Sequence, residues 1–91
     1  MHAVVVRVEI DSTRFDEAEK LLHGTVVPTV KSLEGFVRGL WLHASDGRGR
    51  GVIVFDSEEH AHAAAEQVPR PPEGGPVTFQ GAEVVEVVAE A

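Results

Sequence analysis

At 91 residues the chain has room for one domain with a thin core, burying only ~60–65% of its unfolded surface. It holds no cysteine, which removes disulfides, thiolate zinc sites and a cysteine nucleophile. Eight Lys and Arg against fifteen Asp and Glu give a formal charge of -7, the wrong sign for a nucleic-acid partner, whose phosphates are held by Lys and Arg.

His2 to Ile10 alternates Val4, Val6, Val8 and Ile10 against Val5, Arg7 and Glu9, the pattern of a strand with one strongly apolar face. Asp11, Ser12 and Thr13 are helix-capping residues, and Asp16 and Glu17 suit a first helical turn. Phe15, Ala18, Leu21, Leu22, Val26, Val30 and Leu33 follow at helical spacing. Pro28 predicts a kink or a break in this helix, and Gly35 its end, as the C′ residue. Phe36 to Ser45 and Gly51 to Asp56 read as two strands, joined by a hairpin connection over Asp46 to Arg50. Asp56 and Glu59 are spaced like a capping box at the start of a second helix, which ends before Pro69. Pro69 to Gly81 reads as a surface loop, and Glu83 to Ala89 as the last strand.

The predicted order, β-α-β-β-α-β, is that of an α+β, ferredoxin-like fold, one domain over residues 1–91 with two helices on one face of a four-stranded antiparallel sheet. The third strand has no polar face, and the fourth carries valines on both. Two helices cover one face only, so a symmetric homodimer through the other sheet face is expected. No basic n-region opens the chain and no window reaches the ~20 apolar residues of a membrane span, so the expectation is a cytoplasmic protein without membrane contact.

Two segments carry a family resemblance. Leu33-Glu34-Gly35-Phe36-Val37-Arg38-Gly39-Leu40-Trp41 resembles the Pro-Gly-Phe segment leading into strand two of the antibiotic-biosynthesis-monooxygenase-like proteins, a dimeric α/β-barrel superfamily. Val54-Phe55-Asp56-Ser57-Glu58-Glu59-His60-Ala61 is similar to that superfamily's strand end and helix start. The resemblance implies a dimeric α/β barrel, on a scaffold that hosts oxygenases, isomerases, haem enzymes and proteins without assigned roles. In the haem-degrading branch it implies an Asn on strand one, a Trp ending strand three and a His on helix two. The matching places here hold Val6, Phe55 and Ala65, and the sequence contains no Asn. That departure argues against haem degradation and leaves cofactor-free oxygenation of a polyketide or quinol open.

Trp41 and His43 share one face of strand two. They either line an aromatic pocket together with Phe55, with His43 placed to move a proton, or serve as a core residue and a rim residue. Arg38 falls on the opposite face, in phase with Phe36, Leu40 and Leu42, and Arg7 and Glu9 share the less apolar face of strand one. If those faces line the barrel, Arg7, Glu9 and Arg38 form either a carboxylate- or enolate-binding cluster or a structural ion-pair network. His60 and His62 lie two apart on a helix and point roughly 200° from each other, so they cannot chelate one metal ion. Gly47 to Gly51 joins two strands rather than a strand and a helix, which suits a turn and not a phosphate loop. No Ser sits in a nucleophile elbow.

The sequence therefore supports a small-molecule-binding or monooxygenase-like protein acting on an aromatic or polyketide-like ligand with no metal and no cofactor. In that reading Phe55 and Trp41 hold the ligand, His43 moves a proton and Arg38 stabilises negative charge. A non-catalytic binding or stress-related accessory dimer, and a purely structural dimer, are the other readings.

Overall fold

A computed structural model describes all of residues 1–91. Strand β1 (His2–Ile10) leads through a single 3-10 turn (Ser12–Arg14) into α1 (Phe15–Leu21). The Asp11 carboxylate caps the turn, accepting from the Thr13 backbone N–H at 3.0 Å and the Thr13 hydroxyl at 2.6 Å. A π-helical turn (Leu22–Val26) then joins α1 to α2 (Val27–Lys31). Its Val27 N–H reaches back to the Leu22 carbonyl. The break predicted at Pro28 thus takes the form of a widened turn just before the proline, which sits in the first turn of α2 where its missing N–H costs nothing.

The helix ends at Lys31, four residues before Gly35. Ser32 closes it, donating through Oγ to the Thr29 carbonyl at 2.6 Å, and Gly35 takes its positive φ of 82° in the turn beyond. Strand β2 (Phe36–His43) and strand β3 (Arg48–Phe55) form a hairpin. Its turn lies at Ala44 to Gly47, where the Gly47 N–H donates to the Ala44 carbonyl at 3.0 Å and Gly47 adopts a φ of 95°. β3 therefore begins three residues earlier than its sequence pattern suggests, and Gly49 and Gly51 are strand residues. Helix α3 (Glu58–Gln67) is capped by Ser57, whose Oγ accepts from the His60 N–H at 3.1 Å, and not by Asp56. Strand β4 (Val77–Glu86) starts six residues before the expected Glu83 and stops before Val87.

Asp56 has another partner. The His60 imidazole donates from Nδ1 to Asp56 Oδ1 at 2.6 Å, with Glu34 Oε1 3.5 Å from Nε2. This hydrogen bond raises the His60 pKa above its ordinary value and lowers that of Asp56. The pair closes over Gly35, where a Cβ would overlap the His60 ring, and clasps the α2–β2 turn to the start of α3.

The sheet order is β2-β3-β1-β4, antiparallel throughout, the ferredoxin-like arrangement. Both helical segments lie on one face. Val4, Val30, Ile53 and Phe55 are fully buried between the layers, with Ala61 and Ala64 of α3. A β-bulge at Val37 changes one facing. Phe36 pairs with Phe55 on the helix side, while Arg38, Leu40 and Leu42 point to the outer face. The outer face stays open, with Leu40 49% and Leu42 53% exposed beside half-buried Val5, Val52 and Val54. No helix is long and apolar enough to cross a membrane.

Candidate functional site

A cleft of about 520 Å³ opens between the helical layer and the β2–β3 end of the sheet. It exists because the sheet is short of side chains there. Gly39 of β2 and Gly49 and Gly51 of β3 all face the helices, where a β-sheet core normally places large residues. Trp41, opposite Gly51, lies flat across this floor. A Cβ on Gly39 would stand 2.8 Å from Trp41 Cη2, and one on Gly51 3.2 Å from Trp41 Nε1. The indole covers the glycine backbone from the neighbouring strand and presents its other face to the cleft.

The roof is α1 and the π-helical turn, which contribute Phe15, Leu22, His23 and Val26. The π-helical turn is thus part of the cleft wall, where such turns often mark functional sites. At the hairpin end the His43 imidazole stacks on Phe15, with ring centroids 4.6 Å apart and an interplanar angle of 25°. The far wall is the loop after α3, where Pro69 and Pro71 flank Arg70, together with Phe79 of β4. The Arg70 guanidinium carbon lies 3.8 Å above the centre of the Phe79 ring. A large apolar surface with a few polar groups at its rim is the ordinary make-up of a small-molecule site.

Of the residues singled out in the sequence, Trp41 and His43 stand in this cleft. Phe55 does not. It is 0% exposed in the core, tilted against Phe36 with centroids 6.4 Å apart. It shares the helix-facing side with Trp41, but lies four residues along β3 from Gly51, where the helices close directly on the sheet. Arg38 lies on the outer face opposite Val54, so within one protomer the sheet separates it from His43. Arg7 and Glu9 share that outer face, yet Arg7 stands opposite Arg50 and Glu9 accepts from Gln80 Nε2 at 3.0 Å. Arg38 is two strands and four residues away, so Arg7, Glu9 and Arg38 form no cluster within the chain.

The sequence reading missed the glycine floor, Phe15 and Arg70. The signal for the floor was present as glycines at 39, 49 and 51, but Gly49 falls in the segment that reads as the hairpin connection and Gly51 at the very start of the strand after it. At the places matching the haem-degrading branch, Val6 lines the cleft, Phe55 is core, and Ala65 packs on the core, so α3 sends no imidazole into the cleft. No group of three or more His, Asp or Glu side chains is arranged to hold a metal ion.

No protein-family model matches the sequence, and no curated protein matches it. Solved structures do match. The haem-degrader MhuD from Mycobacterium tuberculosis, with two haems bound in its active site, superposes with a TM-score of 0.68 at 19% identity, over 100% of this chain and 99% of that one. The ActVA-Orf6 monooxygenase of Streptomyces coelicolor, in complex with nanaomycin D, gives 0.60 at 16% identity, over 99% and 89%. The fold is the one these structures share, an α+β ferredoxin-like arrangement. A protein of unknown function from Nitrosomonas europaea shares it, at a TM-score of 0.64 and 19% identity over 99% of this chain and 91% of that one. At these identities the likeness is one of fold, and function has to be argued from the site.

Proposed function

We propose that the cleft takes a planar aromatic molecule of the polyketide or quinol kind and oxygenates it without a metal. The observation that carries this reading is the indole of Trp41 lying across Gly39 and Gly51 of the cleft floor, with about 520 Å³ open above it. A flat ring stacked on Trp41 fills that space, and Phe15, Leu22 and Val26 cover its other face. Binding of nanaomycin D by a monooxygenase of the same fold supports the choice of ligand class.

In the reaction, His43 at the hairpin end of the cleft accepts a proton from a ring hydroxyl. An imidazole is the side chain type best suited to take up and release a proton in such a step. The electron-rich anion then reacts with dioxygen at a ring CH2, one oxygen atom entering as a carbonyl and the other leaving as water with the two hydrogens. The apolar walls keep bulk water from the anion. The second part of the proposal is a homodimer through the outer face, where a second copy covers Leu40, Leu42, Val52 and Val54.

The protein has one Trp and no Tyr, so its intrinsic fluorescence reports the cleft directly. Titration with a naphthoquinone is expected to quench Trp41 to saturation, and Gly51→Val, which fills the floor, to abolish the effect. Oxygen uptake with a hydroxylated anthrone is expected to fall at least ~100-fold in His43→Gln while binding is kept. Quenching that never saturates overturns the binding site. Saturable binding with no oxygen uptake in the native protein leaves a binding module and removes the enzyme. Stoichiometric hemin binding with a shifted Soret band would overturn the metal-free assignment.

A further inference from the structure

We infer that Arg70 is a specificity residue that docks an anionic group of the ligand, so that the cleft selects aromatic acids or ionised phenols over neutral aromatics of the same size. The inference rests on the proposed binding site at Trp41 and adds the charge of its ligand.

The first observation is where the cleft's charge lies. The protein carries a formal charge of -7, yet the charged side chains on the cleft side are one cation, Arg70, and one carboxylate, Glu19; Arg50, opposite Arg7 and Leu42, points its side chain to the outer face. Its histidines, His23 and His43, add no negative charge at any pH. The site is therefore balanced in charge within an acidic chain, which opposes an anion less there than elsewhere on the surface.

The second observation is which of these groups is uncommitted. Arg50 donates from Nη1 to the Gly49 carbonyl at 2.7 Å. Arg14, on the helix side, is held by Glu17 at 2.7 Å and by the Gly74 carbonyl at 3.0 Å. Arg70 has no carboxylate or carbonyl partner in the chain, and Glu19 makes no ion pair with it. Its only fixed contact is the face of Phe79. A guanidinium lying on a ring keeps its N–H groups at its edge, so the stack orients the fork and leaves the donors free.

The third observation is the rigidity of the arm. Pro69 and Pro71 on either side fix the backbone φ at both neighbours. The loop is pinned at its far end, where Arg14 holds the Gly74 carbonyl and the Asp11 N–H donates to the Pro76 carbonyl at 2.8 Å. An arginine that is preoriented, unpaired and placed on the wall of an aromatic cleft is the arrangement that recognises a carboxylate or phenolate edge.

The test uses two naphthoquinones of similar size. One is 2-hydroxy-1,4-naphthoquinone, ionised at neutral pH, and the other is its neutral 2-methoxy ether. Each is titrated by Trp41 quenching against the native protein, Arg70→Gln, Arg70→Lys and Arg50→Gln, with a thermal melt to confirm folding. The native protein is expected to prefer the anion about tenfold, less at high salt. Arg70→Gln should erase that preference and leave the neutral ether's affinity unchanged. Arg70→Lys should keep part of it, and Arg50→Gln should keep it all. Equal affinities in the native protein, a preference surviving Arg70→Gln, or its loss in Arg50→Gln alone would overturn the role of Arg70 while the cleft stands as a binding site. If neither quinone quenches to saturation, the cleft itself is not the site, and the inference falls with it.

Discussion

Placing a methyl group on the cleft floor is the sharpest test of its geometry. In Gly39→Ala the new Cβ would stand 2.8 Å from Trp41 Cη2 and 2.9 Å from Cζ3. Carbon atoms sit comfortably at ~3.5–4.0 Å, so the indole must lift by about 0.7–1 Å. It has somewhere to go, because the cleft lies directly above it. The strain therefore falls at the low end of the ~1–3 kcal/mol typical of overpacking. Replacing a strand glycine returns ~0.5–1 kcal/mol of backbone entropy, and Gly39 has no positive φ to lose. The net expectation is a small loss of ~1 kcal/mol or less, a fall in Tm of no more than ~4–8 °C. The optical effect should be larger: red-shifted Trp emission, stronger acrylamide quenching, and naphthoquinone affinity reduced ~10-fold or more. Gly49→Ala is the internal control. Its Cβ meets Val8 Cγ2 at 2.7 Å and Ile10 Cδ1 at 3.0 Å, away from the indole, so it should cost stability without changing the emission. An unchanged spectrum and affinity in Gly39→Ala would refute an indole resting on this floor.

Three further outcomes follow from other parts of the molecule. His60 has a raised pKa in the folded state, so its bond to Asp56 stabilises fully below the unfolded value near 6.5 and is lost as pH rises through the folded value; Asp56, lowered, loses its share as pH falls below the ordinary carboxylate range. Thermal melts of the native protein and His60→Gln should differ at pH 5.5 and converge by pH 9, and a difference that grows with pH would contradict the clasp. Phe55→Ala removes a fully buried ring and should cost ~3–5 kcal/mol in denaturant melts, whereas Phe55→Leu should fold and bind quinone unchanged; selective loss of binding in Phe55→Leu would return Phe55 to the site. Val52→Glu puts a charge at the centre of the outer face, opposite both Val5 and Leu40, and sedimentation should show a dimer weakened at least ~100-fold with unchanged circular dichroism.

The elements that were legible in the sequence are those whose pattern is local. β1 has the bounds its alternation implies, and Trp41 and His43 share a face of β2 because they lie two positions apart. The places that were not legible depend on neighbours far along the chain. Gly49 reads as part of the hairpin turn because nothing local marks it as strand. Its apolar cover is Val8 and Ile10 of β1, and that of neighbouring Gly51 is the indole supplied by Trp41 across the β2–β3 ladder. The start of β4 was hidden for a related reason. A register shift opposite Arg7 and Val8 leaves Gln80 as an extra residue, so Val77 and Phe79 do not continue the alternation of Ala82 and Val84. The bulge at Val37 likewise turned Phe36 away from Arg38, with which a regular strand would have aligned it. Phe55 was assigned to the correct face and the wrong place. Its period says which way it points, whereas only the helix packing shows that the sheet is closed over it and open over Gly51.

The cleft and the open sheet face are linked through the core. Three glycines stand where a sheet of this kind normally buries large side chains, and only 14 of the 91 residues are buried. A small domain stripped of core volume on one side has a narrow stability margin, commonly ~5–15 kcal/mol in all. Two sources can make up the shortfall without filling the cleft: a second copy on the outer face, and a ligand on Trp41. A ligand at 100 times its Kd adds about 2.7 kcal/mol, a sizeable fraction of that margin. The cleft also draws its walls from different parts of the chain, the floor from β2 and β3, the roof from α1 and the π-helical turn, and the far wall from the loop carrying Arg70. A molecule bound among them ties the helical layer to the sheet at the end where side-chain packing is missing. Ligand should therefore raise the unfolding temperature of Gly51→Val far less than that of the native protein, because the valine supplies the packing and removes the site in one step.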